Sequence, residues 1–191
     1  MIAHIKGKLV EKTPTFVVID VNGVGYHIKI SLQTFSSIKE DICKLFTHLS
    51  IKEDSHTLFG FYEKSERELF VKLISVSGVG PSTAQIILST YNSQEVIHYI
   101  TSADVNAIKS VKGIGSKTAQ RIILELKDKI HSQEIDDSKI HLITKDADEA
   151  ITALEVLGYS RKHTIKIINK IKAENPSISV ESLIKKALNK L

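Results

Sequence analysis

An internal repeat constrains this chain more than any other feature of its sequence. Residues 75–87 align with residues 110–122 at an offset of 35, and eight of the thirteen aligned positions are identical. Each copy has an apolar helix end, a Gly-apolar-Gly turn and a second helix that contains an alanine within the shared segment Thr-Ala-Gln. Identity at this level predicts one helical hairpin that is used twice.

Both turns carry a pair of glycines, Gly78 and Gly80 in the first copy and Gly113 and Gly115 in the second. Glycine permits left-handed backbone angles and lets another backbone come close. The free amides of the turn and the positive end of the next helix then form a site for an anion, most naturally a phosphate. The alternative is a pair of helical turns that bind no ligand.

Apolar residues predict how each turn is anchored. Val79 and Ile114 stand between the glycines and are expected to insert into the core. Pro81 suits the first position of a helix, where no amide hydrogen is needed. Ala84 and Ala119 are small enough to let the two helices of a hairpin approach.

Two other glycine-rich motifs do not fit. A dinucleotide-binding fingerprint needs a third glycine three positions on, where Thr83 and Thr118 stand. A P-loop needs Gly-Lys-Ser/Thr, which is absent from the sequence. The pattern is instead typical of the helix-hairpin-helix motif, a pair of which would straddle the minor groove and hold both strands by their phosphates.

The repeat therefore gives a set of candidate DNA-binding residues. Lys117 and Arg121 would add positive charge at the second hairpin, whereas the first has Ser82 and would depend on backbone amides. The full set is Gly78, Val79, Gly80, Ser82, Gly113, Ile114, Gly115, Ser116, Lys117 and Arg121.

Composition limits the remaining possibilities. The net charge of +4 is too small to identify a nucleic-acid binder, so DNA affinity must come from the placement of donors. The sequence has no run of 18 apolar residues to span a membrane, and its start lacks the apolar stretch of a signal peptide. Cys43 is the only cysteine, and no spacing typical of a metal site occurs, which favours a reducing cytosol, no bound metal and no cofactor.

Residues 1–64 are expected to form strands. Asn22-Gly23 is the dipeptide favoured by two-residue hairpins. Five short strands in about sixty residues suggest a small β-barrel, because closure removes exposed edges. The predicted strands are Ile2–Glu11, Phe16–Val21, Val24–Ile30, Leu45–Lys52 and His56–Tyr62.

From Ser65 the apolar spacing becomes helical. Ser65 with Glu68 is interpreted as a capping box, Asn92 with Glu95 marks another helix start, and so does the segment 102–104. Helices are predicted to about His131, followed by a linker at 132–145. Three further helices are expected within 146–191, with Gly158 as the stop of the first: Ala147–Leu157, Thr164–Ala173 and Val180–Lys190.

The order of motifs along nearly the whole chain resembles the RuvA family of Holliday-junction-recognition proteins. Beside the paired hairpins, the resemblance rests on the motifs Asn22-Gly23-Val24-Gly25-Tyr26, Phe46-Thr47-His48, Lys52-Glu53-Asp54, Leu58-Phe59-Gly60-Phe61, Glu125-Leu126-Lys127-Asp128 and Leu157-Gly158-Tyr159. It implies an α+β multidomain protein. The domains would be an N-terminal OB-fold barrel at 1–64, a tandem helix-hairpin-helix domain at 65–131, the flexible linker and a UBA-like three-helix domain at 146–191.

The resemblance also implies a function without a catalytic site. A homotetramer, one or two per junction, would hold a four-way junction open in the cytoplasm. The C-terminal domain would dock the hexameric RuvB ATPase, and the RuvC resolvase would share the junction. Glu53 and Asp54 match the acidic pin of the family, although solvated turn carboxylates or a catalytic carboxylate pair are alternatives.

Two other classes of protein stay open. Helix-hairpin-helix domains also occur in glycosylases and nucleases, which need a deep pocket with an Asp or Lys. A single-strand-binding protein would stack bases on aromatic side chains, although these are expected mainly in the barrel core: Phe16, Tyr26, Phe35, Phe46, Phe59 and Phe61. In the C-terminal helices, core and docking roles are both open for Leu157, Tyr159, Ile167, Ile168 and Ile171.

Overall fold

The computed structural model describes residues 2–139, 145–176 and 178–190. The chain divides into two compact units, Met1–Ser132 and Gln133–Leu191. The first unit contains a five-stranded barrel followed by helices, and the second is helical. These architectures confirm the predicted fold class.

The barrel closes in the strand order β1-β2-β3-β5-β4. Neighbouring strands are antiparallel except β3 and β5, which run parallel. A six-residue helix, α1 (Leu32–Ser37), joins β3 to β4 and was missed by the sequence prediction. The strands are β1 (His4–Lys12), β2 (Phe16–Val21), β3 (Val24–Ile30), β4 (Ile42–Ile51) and β5 (His56–Phe61).

Alternation along β2 and β3 builds the barrel interior. Side chains that face inward are at most 2% exposed: Val17, Ile19, Ile28 and Ile30. Asn22 and Gly23 both have positive φ, 53° and 87°, as the predicted two-residue hairpin requires. The outward-facing His27 and Lys29 are exposed. The barrel therefore buries one face of each strand and presents the other.

Five helices follow the barrel. Four of them lie in the first unit, and the fifth begins there and continues into the second. They are α2 (Lys64–Ile74), α3 (Pro81–Thr90), α4 (Ser93–Thr101), α5 (Val105–Lys109) and α6 (Ser116–Lys139). The helix start predicted at Asn92 and Glu95 is confirmed, and these two residues form a capping box there. The Asp104 side chain accepts a hydrogen bond at the start of α5.

The capping box predicted at Ser65 is wrong. Helix α2 begins one residue earlier, at Lys64, with Glu63 at its N-cap and no side-chain cap. Ser65 therefore lies inside the helix. The neighbouring Glu66 is buried and accepts hydrogen bonds from the hydroxyls of Ser31 and Thr34, which are contacts that local sequence does not reveal.

Strand β5 also contributes to the helical core, which couples the barrel to the helices. Phe59 and Phe61 on β5 are 3% and 0% exposed and pack on Phe70 of α2, with ring centroids 5.2 and 4.9 Å apart. Ile87 and Ile122, which occupy equivalent positions in the repeat, are fully buried in the same cluster. The barrel and the hairpins thus share packed side chains.

The first half of the linker expected at 132–145 is helical in the structure. Helix α6 continues past His131 to Lys139, since this stretch contains no glycine or proline to end it. Residues 140–144 of the predicted linker lie outside the described residues. The final helices are α7 (Lys145–Val156), α8 (Arg161–Glu174) and α9 (Val180–Leu188), and Gly158 ends the turn after α7 with φ 95°.

Candidate nucleic-acid interface

The two repeat turns have closely matching backbones. Gly78 and Gly113 have φ of +91° and +88°, a conformation that other residues adopt only with strain. In the first turn the amide of Val79 donates to the carbonyl of Val76 at 3.0 Å. In the second turn the amide of Ile114 donates to the carbonyl of Val111 at 3.1 Å. The sequence repeat is therefore also a repeat of structure.

Apolar side chains anchor both turns in the helical core. Val79 and Ile114 are 5% and 6% exposed, in line with the expectation that they insert into it. Ala84 and Ala119, one turn into the following helices, are fully buried. This anchoring leaves the glycines on the surface, where both pairs are exposed.

Each turn leads into a helix whose first amides have no acceptor within the helix. In α3 the earliest intrahelical bond runs from the amide of Ala84 to the carbonyl of Gly80, at 3.0 Å. In α6 the equivalent bond runs from Ala119 to Gly115, at 2.9 Å. A glycine N-cap offers no side-chain oxygen, so the preceding amides remain available to an anion.

Gly80 and Gly115 have no structural requirement within this chain to be glycine. A Cβ added to either would meet nothing within 4 Å, and neither residue has a positive φ. An alanine would therefore fit the isolated fold at both positions. The missing side chain leaves open space in front of the helix amides, which is the space that an approaching phosphate would use.

Positive charge is unevenly divided between the two hairpins. The second has three basic side chains, Lys112, Lys117 and Arg121. The aligned positions of the first hold neutral residues: Ser77, Ser82 and Ile86. Lys112 was not among the predicted site residues. Its position directly before the Gly-x-Gly turn of the second copy could have revealed it.

Arg121 does more than add charge. Its guanidinium donates to the carbonyl of Ser77 at 3.2 Å, which ties α6 to the turn of the first hairpin. It also pairs with Glu125 at 3.8 Å. The side chain is still 53% exposed, so it can contact a ligand while it holds the two hairpins in register. Lys117, Ser82 and Ser116 are exposed.

Glu53 and Asp54 lie at the tip of the β4–β5 hairpin. Both are exposed, and the turn is closed by a hydrogen bond from the amide of Lys52 to the carbonyl of Ser55 at 2.8 Å. Ser55 also donates its hydroxyl to Asp54 at 3.2 Å. The two carboxylates therefore project from the barrel on a short, ordered turn.

A buried carboxylate joins the barrel to the first hairpin. Glu66 of α2 is 5% exposed and accepts hydrogen bonds from Ser31 and from Thr34, the latter at 2.9 Å. The Thr34 hydroxyl in turn accepts from the amide of Tyr62 at 3.0 Å. Burial raises the pKa of Glu66, while the two hydroxyl bonds oppose that shift and Glu63 adds to it.

The six aromatic side chains considered for base stacking fall into two groups. Phe59 and Phe61 are buried and offer no stacking surface for bases. The other four are half-buried, namely Phe16, Tyr26, Phe35 and Phe46. Tyr26 and Phe35 pack against the barrel core, whereas Phe16 stacks on the exposed His27 with centroids 4.5 Å apart.

The C-terminal candidates also divide between core and surface. Ile171 was predicted as a partner-binding residue, but it is 1% exposed and lies in the core beside the fully buried Ile168. Ile167 is half-buried against the same core. Leu157 and Tyr159 are 60% and 37% exposed. Val156, which sequence reasoning missed, is 83% exposed next to them.

Neither a metal site nor a membrane-spanning helix occurs within residues 2–139, 145–176 and 178–190. No group of three or more His, Cys, Asp or Glu side chains there is arranged to hold a metal ion. Cys43 is buried, and this burial raises the pKa of its thiol. In the same ranges no helix is both long enough and apolar enough to cross a membrane.

Two similar surface turns, each followed by a helix with free amides, define the class of tandem helix-hairpin-helix proteins. In this chain an OB-like barrel packs against the helices of that tandem. Comparison with known families narrows this class. Residues 1–60 match the RuvA N terminal domain, 70–128 match the SAM-like helix-hairpin-helix tandem, and 145–191 match the RuvA C-terminal domain.

Full-length relatives agree with these matches. The chain is 55% identical to a protein of Christiangramia forsetii and 54% identical to one of Flavobacterium psychrophilum, with 100% of each chain covered. It is 42% identical to a protein of Bacteroides fragilis, again over 100% of both chains. All three are named Holliday junction branch migration complex subunit RuvA. The chain belongs to the RuvA family.

Proposed function

We propose that this chain is a junction-binding scaffold subunit of a branch migration complex in recombination and DNA repair. The observation that carries the proposal is the pair of surface turns whose second glycines, Gly80 and Gly115, have open space in front of free helix amides. Two such turns on one rigid core bind phosphates without reading bases. Full-length relatives with the branch migration name support the choice of a Holliday junction as substrate.

In this proposal each hairpin holds one strand of a duplex arm. The predicted set of turn residues contacts the phosphates, with Lys112 added to it. A homotetramer presents four such pairs, one to each arm of the junction, and a second tetramer can cover the opposite face. Because the protein grips the backbone, it can hold any sequence while the junction moves.

The acidic tip supplies repulsion where the strands part. Glu53 and Asp54 are exposed on the ordered β4–β5 turn, so their charges face solvent or DNA. Like charges a few Å apart repel by about 1 kcal/mol in water and by more where water is excluded. Four copies at the centre of a junction would push phosphates apart and guide the strands without cutting them.

The proposed role includes no catalytic step by this chain. The ATPase is RuvB, a hexameric motor that docks on the C-terminal helices, and RuvC resolves the same junction in the cytoplasm. The exposed apolar residues Val156, Leu157 and Tyr159 form the docking surface. Leu157→Ser should abolish stimulation of the RuvB ATPase, whereas Leu188→Ser, at another exposed leucine, should leave it unchanged.

The proposal is tested by gel-shift titration of the full chain with four-way, duplex and single-stranded DNA over a salt series. Four-way DNA should bind most tightly. If each of eight hairpins in a tetramer neutralised about one phosphate, the log–log salt slope would be roughly −7, and amide dipoles should make it shallower. Preference for single strands, or cleavage or base release by the purified protein, would contradict the proposal.

A further inference from the structure

A groove of about 590 Å³ lies between the barrel and the first hairpin. One wall is formed by β2 and β3 of the barrel, and the other by α3, the helix that begins at the first turn. Both walls include apolar residues, with Phe16 and Ile30 on the barrel side and Ile86 on the hairpin side. Both walls belong to the unit Met1–Ser132.

Lys29 carries the only formal charge among the described residues that line this groove. It lies opposite Phe16 in the β2–β3 ladder, and its side chain is on the outer, exposed face of the barrel. None of the ion pairs between described residues includes it. His27, two residues earlier on the same face, stacks on the Phe16 ring. The barrel wall is thus basic and aromatic.

The hairpin wall of the groove lacks positive charge. Ser82 and Ile86 line this wall, and they occupy the repeat positions of Lys117 and Arg121. The second hairpin has Lys112 in its turn and Lys117 on its helix, and Arg121 reaches from the same helix to Ser77 of the first turn. The α3 wall of the first hairpin has Lys29 across the groove instead. The two hairpins therefore obtain positive charge from different parts of the chain.

We infer that Lys29 is the cation of the first hairpin, and that the groove is a DNA-backbone subsite. A phosphate at the start of α3 would meet the helix amides on one side and the Lys29 ammonium on the other. The apolar residues of the groove would pack against deoxyribose, and Ser82 and Gln85 would supply hydrogen-bond donors. This inference rests on the proposed function, because it extends the same DNA contact onto the barrel.

The first test is the affinity of the full chain for a four-way junction. Lys29→Ala should bind at least about fivefold more weakly, with a salt slope shallower by about one per subunit, as expected for a lost phosphate contact. Lys29→Arg should retain the wild-type slope. Lys8→Ala is the matched control, because Lys8 is exposed on β1 outside the groove and its loss changes the net charge equally.

A compensating change makes the test specific to the groove. Ser82→Lys in the Lys29→Ala background moves the cation from the barrel wall to the hairpin wall and should restore the slope. Equal affinity of Lys29→Ala and Lys8→Ala would overturn the inference. So would a change of oligomeric mass in Lys29→Ala by light scattering, since the groove would then hold a second copy of the chain.

Different results would contradict the junction-binding function and the role of the Lys29 groove. If the wild-type protein shows no preference for four-way DNA, the proposed function is wrong. If wild-type protein prefers four-way DNA and Lys117→Ala weakens that binding while Lys29→Ala does not, only the groove assignment is wrong. Thermal unfolding of every variant should match the wild type, since Lys8, Lys29 and Ser82 are exposed.

Discussion

Gly78 and Gly80 stand in the same turn, yet they should respond to alanine in opposite ways. Gly78 has φ +91°, where an alanine is strained whatever space surrounds it. Gly80 has φ −84° and ψ 168°, which any residue adopts, and a Cβ there meets nothing within 4 Å. Gly78→Ala should therefore weaken the fold, whereas Gly80→Ala should leave the fold intact and weaken DNA binding.

The magnitudes follow from these two geometries. A left-handed alanine costs about 1–2 kcal/mol, which lowers the melting temperature by roughly 2–8 °C in a chain of this size. At Gly80 a small gain from a less flexible unfolded chain opposes the poor N-cap propensity of alanine, so stability should change by less than about 1 kcal/mol. The added methyl instead occupies the approach to the helix amides. Loss of one hydrogen bond to a charged phosphate costs about 1.5–3 kcal/mol, or roughly 10- to 100-fold in affinity.

Two measurements on the same samples separate these effects. Calorimetry gives the melting temperature, and fluorescence anisotropy with a labelled four-way junction gives the dissociation constant. Gly80→Ala should keep the wild-type melting curve and lose affinity, and Gly115→Ala should behave likewise in the second hairpin. Wild-type affinity in a folded Gly80→Ala protein would refute the argument that open space at the turn admits a phosphate.

Three further predictions concern the buried Glu66 between the barrel and the helices, Gly60 in the barrel, and the carboxylates Glu53 and Asp54 at the β4–β5 turn. Burial raises the folded-state pKa of Glu66 above its ordinary value of 4.5, so the folded state binds the proton more tightly than the unfolded state. The stability from this group is therefore full below the ordinary pKa and is lost as the pH rises through the folded pKa. Urea unfolding should show this fall in wild type and not in Glu66→Gln, and parallel pH profiles would contradict it. Gly60→Ala should cost about 1–3 kcal/mol in urea unfolding, since its Cβ would lie 2.5 Å from Ile28 Cγ2, whereas Gly25→Ala meets its nearest atom at 3.5 Å and serves as control. Glu53→Gln with Asp54→Asn should bind junctions as well as wild type or better while reducing strand separation, reported by 2-aminopurine fluorescence at the crossover, and complete loss of binding would argue against the pin.

Sequence periodicity predicted the regular elements that depend on neighbouring residues. Strands β2 and β3 have the predicted bounds, because runs of strand-favouring residues bounded by Thr13-Pro14 and by the Asn22-Gly23 hairpin specify them locally. Helix α6 exceeded its predicted end at His131, since loss of amphipathic spacing does not break a helix that lacks glycine and proline. Helical spacing left core and docking roles open for Ile171, because its burial depends on the packing of α7, α8 and α9, which spacing alone does not give.

The turns themselves were determined by the sequence alone. A Gly-apolar-Gly repeat specifies a left-handed residue and a bare helix start, which are local properties of the backbone, and it marks the apolar residue between the glycines as the expected anchor. The tertiary structure decided which distant residues serve those turns. Arg121 reaches the Ser77 carbonyl, Glu66 accepts from Ser31 and Thr34, and Lys29 shares a groove with Ser82. These residue pairs are 32 to 53 positions apart in the sequence. The Arg121 contact exists because the two hairpins pack together, and the other pairings exist because the closed barrel packs against the first hairpin.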